Sequence, residues 1–211
     1  MNKEHCHVLG LTGPTGAGKS TVSAFLQRQG FLIIDADKLA REVTNAESAC
    51  LRGLVGHFGA DILYPDGTLD RRALAQKAFA SPQETDKLNA LTHPYITQRI
   101  KECIEVAEKE GRSWAVLDAP TLLESGADRL CDRILVVTAD PDVRCARIRI
   151  RDHLTEKEAR LRMRAQHDDA FYAARADYIL KNNGSTDTLI KKLSAILKEL
   201  RAQDGENQAQ K

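Results

Sequence analysis

No apolar stretch in this 211-residue chain approaches the roughly 20 residues that a helical bilayer crossing requires. That excludes an integral helical membrane protein. No C-x-x-C pair occurs either. The five cysteines, Cys6, Cys50, Cys103, Cys131 and Cys145, are odd in number and widely scattered, which argues against both a disulfide framework and a zinc knuckle and predicts reduced thiols. Net charge is almost absent: at a formal +1 the chain is no polycation, so any nucleic-acid binding would have to rest on a local patch. The N-terminus, MNKEHCHVLGL, lacks the long apolar region and small-residue cleavage site of a secretory signal. The expectation is a cytoplasmic protein that acts on a small molecule, with no membrane, nucleic-acid or obligate protein partner.

What is present is an ordinary globular composition, 42% hydrophobic and 29% charged, enough to bury a substantial core. Short apolar, often β-branched runs recur at VLGL (8–11), FLII (31–34), AVLD (115–118), RILVVT (133–138) and DYIL (177–180), with helical patterns between them. Such runs suit strands covered on both faces in a parallel sheet with helical crossovers, an α/β core. Helix starts are marked at Ser81-Pro82-Gln83-Glu84, Asp140-Pro141 and Thr155-Glu156-Lys157-Glu158, and Gly30 and Gly111 stand where helix ends need a left-handed residue. About eighty residues of mostly helical pattern separate the second and third strands, far more than one crossover uses. They are read as a helical substrate-holding insertion.

The strongest motif is GPTGAGKS at 13–20. Gly13, Gly18, Lys19 and Ser20 fit G-x-x-x-x-G-K-[ST], directly after a strand and directly before the helical TVSAFLQRQ. Glycines let the backbone curl so that successive N–H groups point at phosphate oxygens, and the helix N-terminus adds partial positive charge. Lys19 is expected to reach the β and γ phosphates of ATP, with Ser20 binding Mg²⁺ through its hydroxyl. A switch GTPase would also need D-x-x-G and N-K-x-D elements, neither of which is suitably placed. A small-molecule kinase fits better.

Such a kinase needs a base to take the acceptor's proton. Asp35-Ala36-Asp37 ends the second strand, and alternation in an extended segment would send both carboxylates to one side; the competing role for either is to cap the helix that follows. Asp118 ends the third strand, where an acid would order Mg²⁺ or its waters. Between 144 and 164 the cations are Arg144, Arg147, Arg149, Arg151, Arg160, Arg162 and Arg164, with Lys157 the only lysine. Arginine's flat fork suits phosphate oxygens, so the region reads as a lid, with Arg147 and then Arg151 the favoured phosphate contacts. Interleaved Asp152, Glu156 and Glu158 mark several of the others as partners in surface ion pairs.

Taken together, LTGPTGAGKSTV, DADKLAR (35–41), DGTLDRRAL, NALTHPYI (89–96), DAPTLLESG (118–126), RIRIRD (147–152) and DYILKNNGS (177–185) resemble the dephospho-coenzyme A kinases from about Val8 to about Leu200. Pro14-Thr15 stands where that family commonly has Gly-Ile. The resemblance implies a three-layer P-loop kinase fold related to the nucleotide kinases, over residues 7–205: a core of 7–35, 112–140 and 176–201, a helical substrate-binding region of 36–111, an arginine-rich lid of 141–175 and a polar, frayed tail of 202–211. It further implies transfer of the ATP γ-phosphate to the ribose 3′-hydroxyl of dephospho-coenzyme A. The base would be Asp37 and the lid arginine Arg147. Contacts to ATP would come from Thr15, Gly16, Ala17, Gly18, Lys19, Ser20 and Thr21, with Asn182 and Gly184 near the adenine. Arg41, His93 and Asp118 would join Asp37 on the substrate side.

Overall fold

A computed structural model describes residues 5–209, with backbone only for 203–209. All five expected strands form: β1 (His7–Thr12), β2 (Leu32–Asp35), β3 (Trp114–Asp118), β4 (Arg133–Thr138) and β5 (Tyr178–Lys181). They make one sheet in the order β2-β3-β1-β4-β5. The register is parallel, with Leu9 opposite Val116, Leu11 opposite Leu135 and Leu135 opposite Tyr178. In β4 the successive residues Leu135, Val136 and Val137 are all fully buried. Uninterrupted burial of neighbours that point to opposite faces requires cover on both sides, which is why these strands are apolar runs and not alternating ones.

The chain divides into two compact units. One holds His7–Ile33 and Trp114 onward; the other holds Ile34–Ser113 with the described residues up to Cys6. In the first, α1 (Lys19–Arg28) and α9 (Thr186–Ala209) cover one face of the sheet through Val22, Leu26, Leu189, Leu193 and Leu197, packed on Leu9, Leu11, Val116 and Val137. On the other face Val136 packs with Leu123 and with Tyr172 of α8 (Asp169–Ala173). That is the three-layer arrangement. Strand order reverses on either side of β1, so the turn leaving β1 opens at the switch point where parallel sheets place their ligands. Two further helices, α6 (Pro141–Asp152) and α7 (Glu156–Arg164), occupy the expected lid region, and Thr155 and Glu158 form the full capping box read from sequence. The backbone of α9 runs to Ala209, through residues expected to fray.

The second unit is helical, with α2 (Ala36–Glu42), α3 (Ala49–Phe58), α4 (Arg71–Ala78) and α5 (Pro82–Lys109). It has a core of its own: Cys50, Leu54, Phe58, Ile62, Leu74 and Ala78, flanked by Leu88 and Leu91. His93-Pro94 marks no helix boundary, because Pro94 lies inside the single 28-residue α5. Proline removes one ladder bond, but α5 packs on α2, α3 and α4 along its length, and this packing outweighs the local break. Ser81 caps α5 as expected, accepting from Glu84 N–H, yet the Glu84 carboxylate bonds His57 Nε2 at 2.9 Å and so does not complete a capping box. Leu54 is fully buried, so Leu54→Ala is expected to destabilise this unit by about 2–5 kcal/mol, read as a lowered thermal midpoint.

The cysteines form no disulfide. Burial pushes the Cys131 thiol up to about 12 and raises Cys50 and Cys103, which keeps these three protonated and unreactive at neutral pH. No helix among the described residues is long and apolar enough to cross a membrane.

Candidate active site

The segment between β1 and α1 folds as a cradle. Gly13 has φ +147, and a Cβ there would collide with the Val137 carbonyl oxygen; Gly18, the N-cap of α1, is left-handed at φ +98, and a Cβ there would collide with the Asn182 amide nitrogen. Only glycine serves at either place. Three N–H groups of the loop have protein acceptors: Thr15 donates to Gln166 Oε1, Ala17 to the Pro14 carbonyl, and Thr21 to the Gly18 carbonyl. The N–H groups of Gly16, Gly18, Lys19 and Ser20 have none among the described residues. Unpaired amides gathered at a helix N-terminus, with its partial positive charge, make a site that requires an anion or water to satisfy it.

Loop carbonyls, by contrast, are held by side chains. The Ala17 carbonyl accepts from Asn182 Nδ2 at 2.8 Å and from Arg147 Nη1 at 3.3 Å, and the Gly16 carbonyl accepts from the same Arg147 nitrogen at 3.4 Å. In a trans peptide the C=O and the following N–H point in opposite directions. Fixing the Ala17 carbonyl therefore aims the Gly18 N–H the other way. Asn182 is buried, at 6% exposure, and its own N–H bonds the Thr138 carbonyl at 2.7 Å, so β4 and β5 carry it rigidly to the loop. Gly18→Ala, which combines a strained φ with a clash on this asparagine, is expected to weaken nucleotide binding by about tenfold or more, measurable by titration calorimetry.

Lys19 is ion-paired to Asp118 at the end of β3, with the two side chains only 20% and 12% exposed. An ammonium has three donors and one is engaged here, leaving two for a ligand. The Ser20 hydroxyl is exposed and has no protein partner among the described residues. Hydroxyl and carboxylate are hard oxygen donors of the kind Mg²⁺ prefers, so Ser20 and Asp118 fit that ion.

The two aspartates at the end of β2 separate. Asp35 is the N-cap of α2 and accepts from Lys38 N–H at 2.9 Å. Helix therefore begins at residue 36, and the extended alternation expected to align the two carboxylates is absent. Asp37, in the first turn, is exposed and accepts no hydrogen bond among the described residues. In the same unit Arg71 Nη2 donates to Thr44 Oγ1 at 3.0 Å and to the carbonyl of Arg41 at 3.3 Å. The Arg41 guanidinium has no carboxylate partner among the described residues. His93, half-buried in α5, has its pKa held below the ordinary value by burial, so its imidazole is neutral at pH 7.

Of the arginines in the expected lid region, Arg147 alone reaches Gly16, Ala17 and Asn182 together. Arg151 is engaged by Asp152 through Nε and Nη2, both at 2.8 Å, and Arg162 shares that carboxylate; Arg160 bonds Glu156 and Asp142. Arg160 and Arg162 are the ion-paired face foreseen from the interleaved acids, whereas Arg151, expected to contact phosphate, is held by Asp152 and reaches the loop only at Thr15 Oγ1, 3.5 Å away. Asn183 and Asp140 bond each other, and Gly184 packs beside Thr188. Two loop contacts escaped sequence reasoning, those of Arg144 and Gln166. Neither belongs to the P-loop motif, and each meets Thr15 across more than a hundred residues.

The dephospho-CoA kinase family model matches residues 7–188. The chain belongs to this family. A dephospho-CoA kinase of Corynebacterium glutamicum is 42% identical over 192 residues, spanning 91% of this chain and 96% of its own. Among solved structures, TT1252 from Thermus thermophilus superposes with a TM-score of 0.79 at 32% identity, covering 93% of this chain and 98% of that one. Dephospho-CoA kinase from Campylobacter jejuni gives 0.70 at 26%, with the same coverage. Family membership makes the chain a kinase with ATP as its nucleotide substrate and a small molecule as acceptor.

Proposed function

We propose that the chain transfers the γ-phosphate of ATP to the ribose 3′-hydroxyl of dephospho-coenzyme A, giving coenzyme A and ADP, the closing step of coenzyme A synthesis. The observation that carries the nucleotide half is the set of unpaired amides at Gly16, Gly18, Lys19 and Ser20 beside the Lys19 ammonium. The acceptor half rests on relatives of near-equal length that bear that activity in their names.

The 3′-oxygen attacks the γ-phosphorus in line, the bond from that phosphorus to the β–γ bridging oxygen breaks, and the acceptor's proton passes to the Asp37 carboxylate. Asp37 suits the role because, among the described residues, no hydrogen bond or cation competes for it. Lys19 uses its two remaining donors on the β and γ oxygens while its contact to Asp118 holds it in place. Arg147 places positive charge beside the loop, where it offsets charge on the transferring group. Mg²⁺, held by Ser20 with Asp118 nearby, would neutralise phosphate oxygens when bound with the nucleotide. Thr15, Ala17 and Thr21 line the cradle, Asn182 holds the Ala17 carbonyl of that cradle, Gly184 is assigned to the adenine side, and Arg41 and His93 are assigned to the acceptor, as is Asp118.

Coupled ADP release tests the reading directly. Turnover is expected with dephospho-coenzyme A and not with adenosine monophosphate, shikimate or gluconate. A preference for any of the last three would refute the acceptor assignment, and tight ATP binding without acceptor-dependent turnover would indicate a non-catalytic nucleotide module.

A further inference from the structure

We propose that Gln166 and Arg144 are positioning residues of the phosphate loop: together they grip the two peptide groups flanking Thr15 and so aim the Gly16 amide into the cradle. The inference rests on the phosphate-loop reading above and goes beyond it, because neither residue belongs to the loop motif.

The geometry is specific. Gln166 Oε1 accepts from Thr15 N–H at 2.7 Å, while the carbonyl on the other side of that peptide, Pro14 C=O, accepts from Ala17 N–H at 3.1 Å. The Pro14–Thr15 peptide is thus tied at both ends and cannot flip. On the next peptide, Arg144 Nε donates to the Thr15 carbonyl at 3.1 Å. Because C=O and N–H oppose each other across a trans peptide, this contact turns the Gly16 N–H away from Arg144. That N–H is one of the loop amides with no acceptor among the described residues.

Both gripping side chains are themselves held. Arg144 is buried, with its side chain 6% exposed, and its Nη1 pairs with Asp169 Oδ1 at 3.2 Å. A Cβ at Gly16 would press on the Arg144 carbonyl at 2.7 Å, so α6 and the loop are already in close contact. Gln166 sits between two ordered ends: its N–H bonds the Met163 carbonyl in the last turn of α7, and two residues on Asp168 caps α8 by accepting from Phe171 N–H. The neutral amide is the right chemistry. A carboxylate at 166 would also accept the Thr15 N–H, but it would place negative charge next to the phosphates.

Gln166→Met keeps length and shape and removes the acceptor; Gln166→Glu keeps an acceptor oxygen. Amide exchange followed by NMR is expected to show Thr15 N–H protected in the wild type and in Gln166→Glu and unprotected in Gln166→Met. Calorimetry with Mg²⁺ and a non-hydrolysable ATP analogue is expected to give a Kd about tenfold weaker for Gln166→Met, with KM for the acceptor unchanged and the thermal midpoint little altered. Arg144→Lys, which cannot both pair Asp169 and reach the Thr15 carbonyl, is expected to weaken nucleotide binding in the same way, and the two changes should combine to less than the product of their separate effects. Should Gln166→Met fail to fold, Arg144→Lys together with the exchange data on Gln166→Glu decides the matter. Thr15 exchange unaltered in Gln166→Met, or nucleotide affinity within twofold of wild type in both Gln166→Met and Arg144→Lys, would overturn the proposal. Wild-type protein that bound no nucleotide would instead sink the phosphate-loop reading beneath it.

Discussion

Lys19→Met is expected to lower kcat/KM by on the order of 10²–10³-fold, the usual cost of removing one preorganised charge from a transferring group. The structure adds a second consequence. Lys19 is ion-paired to Asp118, whose side chain is 12% exposed, and truncating the lysine leaves that carboxylate largely desolvated with no cation beside it. An uncompensated charge in such a place destabilises the fold, so Lys19→Met is expected to melt earlier than wild type. The two effects are separable. In Lys19→Met/Asp118→Asn the orphaned charge is gone, and the thermal midpoint is expected to return most of the way while activity stays low. A double variant that regained activity along with stability would show that Lys19 acts through folding alone.

The second large effect is expected at Asp37. Asp37→Asn removes a proton acceptor without altering size, and turnover is expected to fall by on the order of 10²–10⁴-fold while the Kd for ATP stays within about twofold of wild type, because a base acts in the chemical step and not in nucleotide docking. The informative control lies two residues earlier. Asp35 caps α2 through the Lys38 N–H, and asparagine caps helices as well as aspartate does; Asp35→Asn is therefore expected to leave both stability and turnover close to wild type. The contrast between two aspartates of one DAD motif tests the assignment more sharply than either variant alone. Equal losses at both positions would remove Asp37 from its special role.

Much of this was legible in the sequence because the signals are local. The run RILVVT coincides with β4, and the other strands differ from their sequence ranges by a residue at either end, since continuous β-branched runs between glycines and helix caps leave few other solutions. The cradle was legible for the same reason: a strand, a glycine-rich turn and a helix start are adjacent in the chain. Illegible features depend on where one element ends or on partners far away. Whether residue 36 is strand or helix decides which aspartate is a cap, and the letters D-A-D are compatible with both. Pro94 reads as a break, and only packing of α5 on its neighbours keeps the helix whole. Seven arginines between 144 and 164 look alike on paper. Burial and partners separate five of them: Arg144 grips the loop from within, Arg147 faces its carbonyls, and Arg151, Arg160 and Arg162 pair with acids at the surface. Gln166, a single unremarked amide after a helix, gave no signal at all; its contact with Thr15 spans 151 residues.

In the proposed reaction phosphate moves from ATP to one particular sugar hydroxyl. Phosphorus NMR of the product formed from dephospho-coenzyme A, Mg²⁺ and ATP tests it most directly: the expected spectrum contains a new monoester phosphate coupled to the ribose 3′ proton, in equal amount to the ADP released. ADP appearing with inorganic phosphate alone, or with the new ester at any other position, would contradict it.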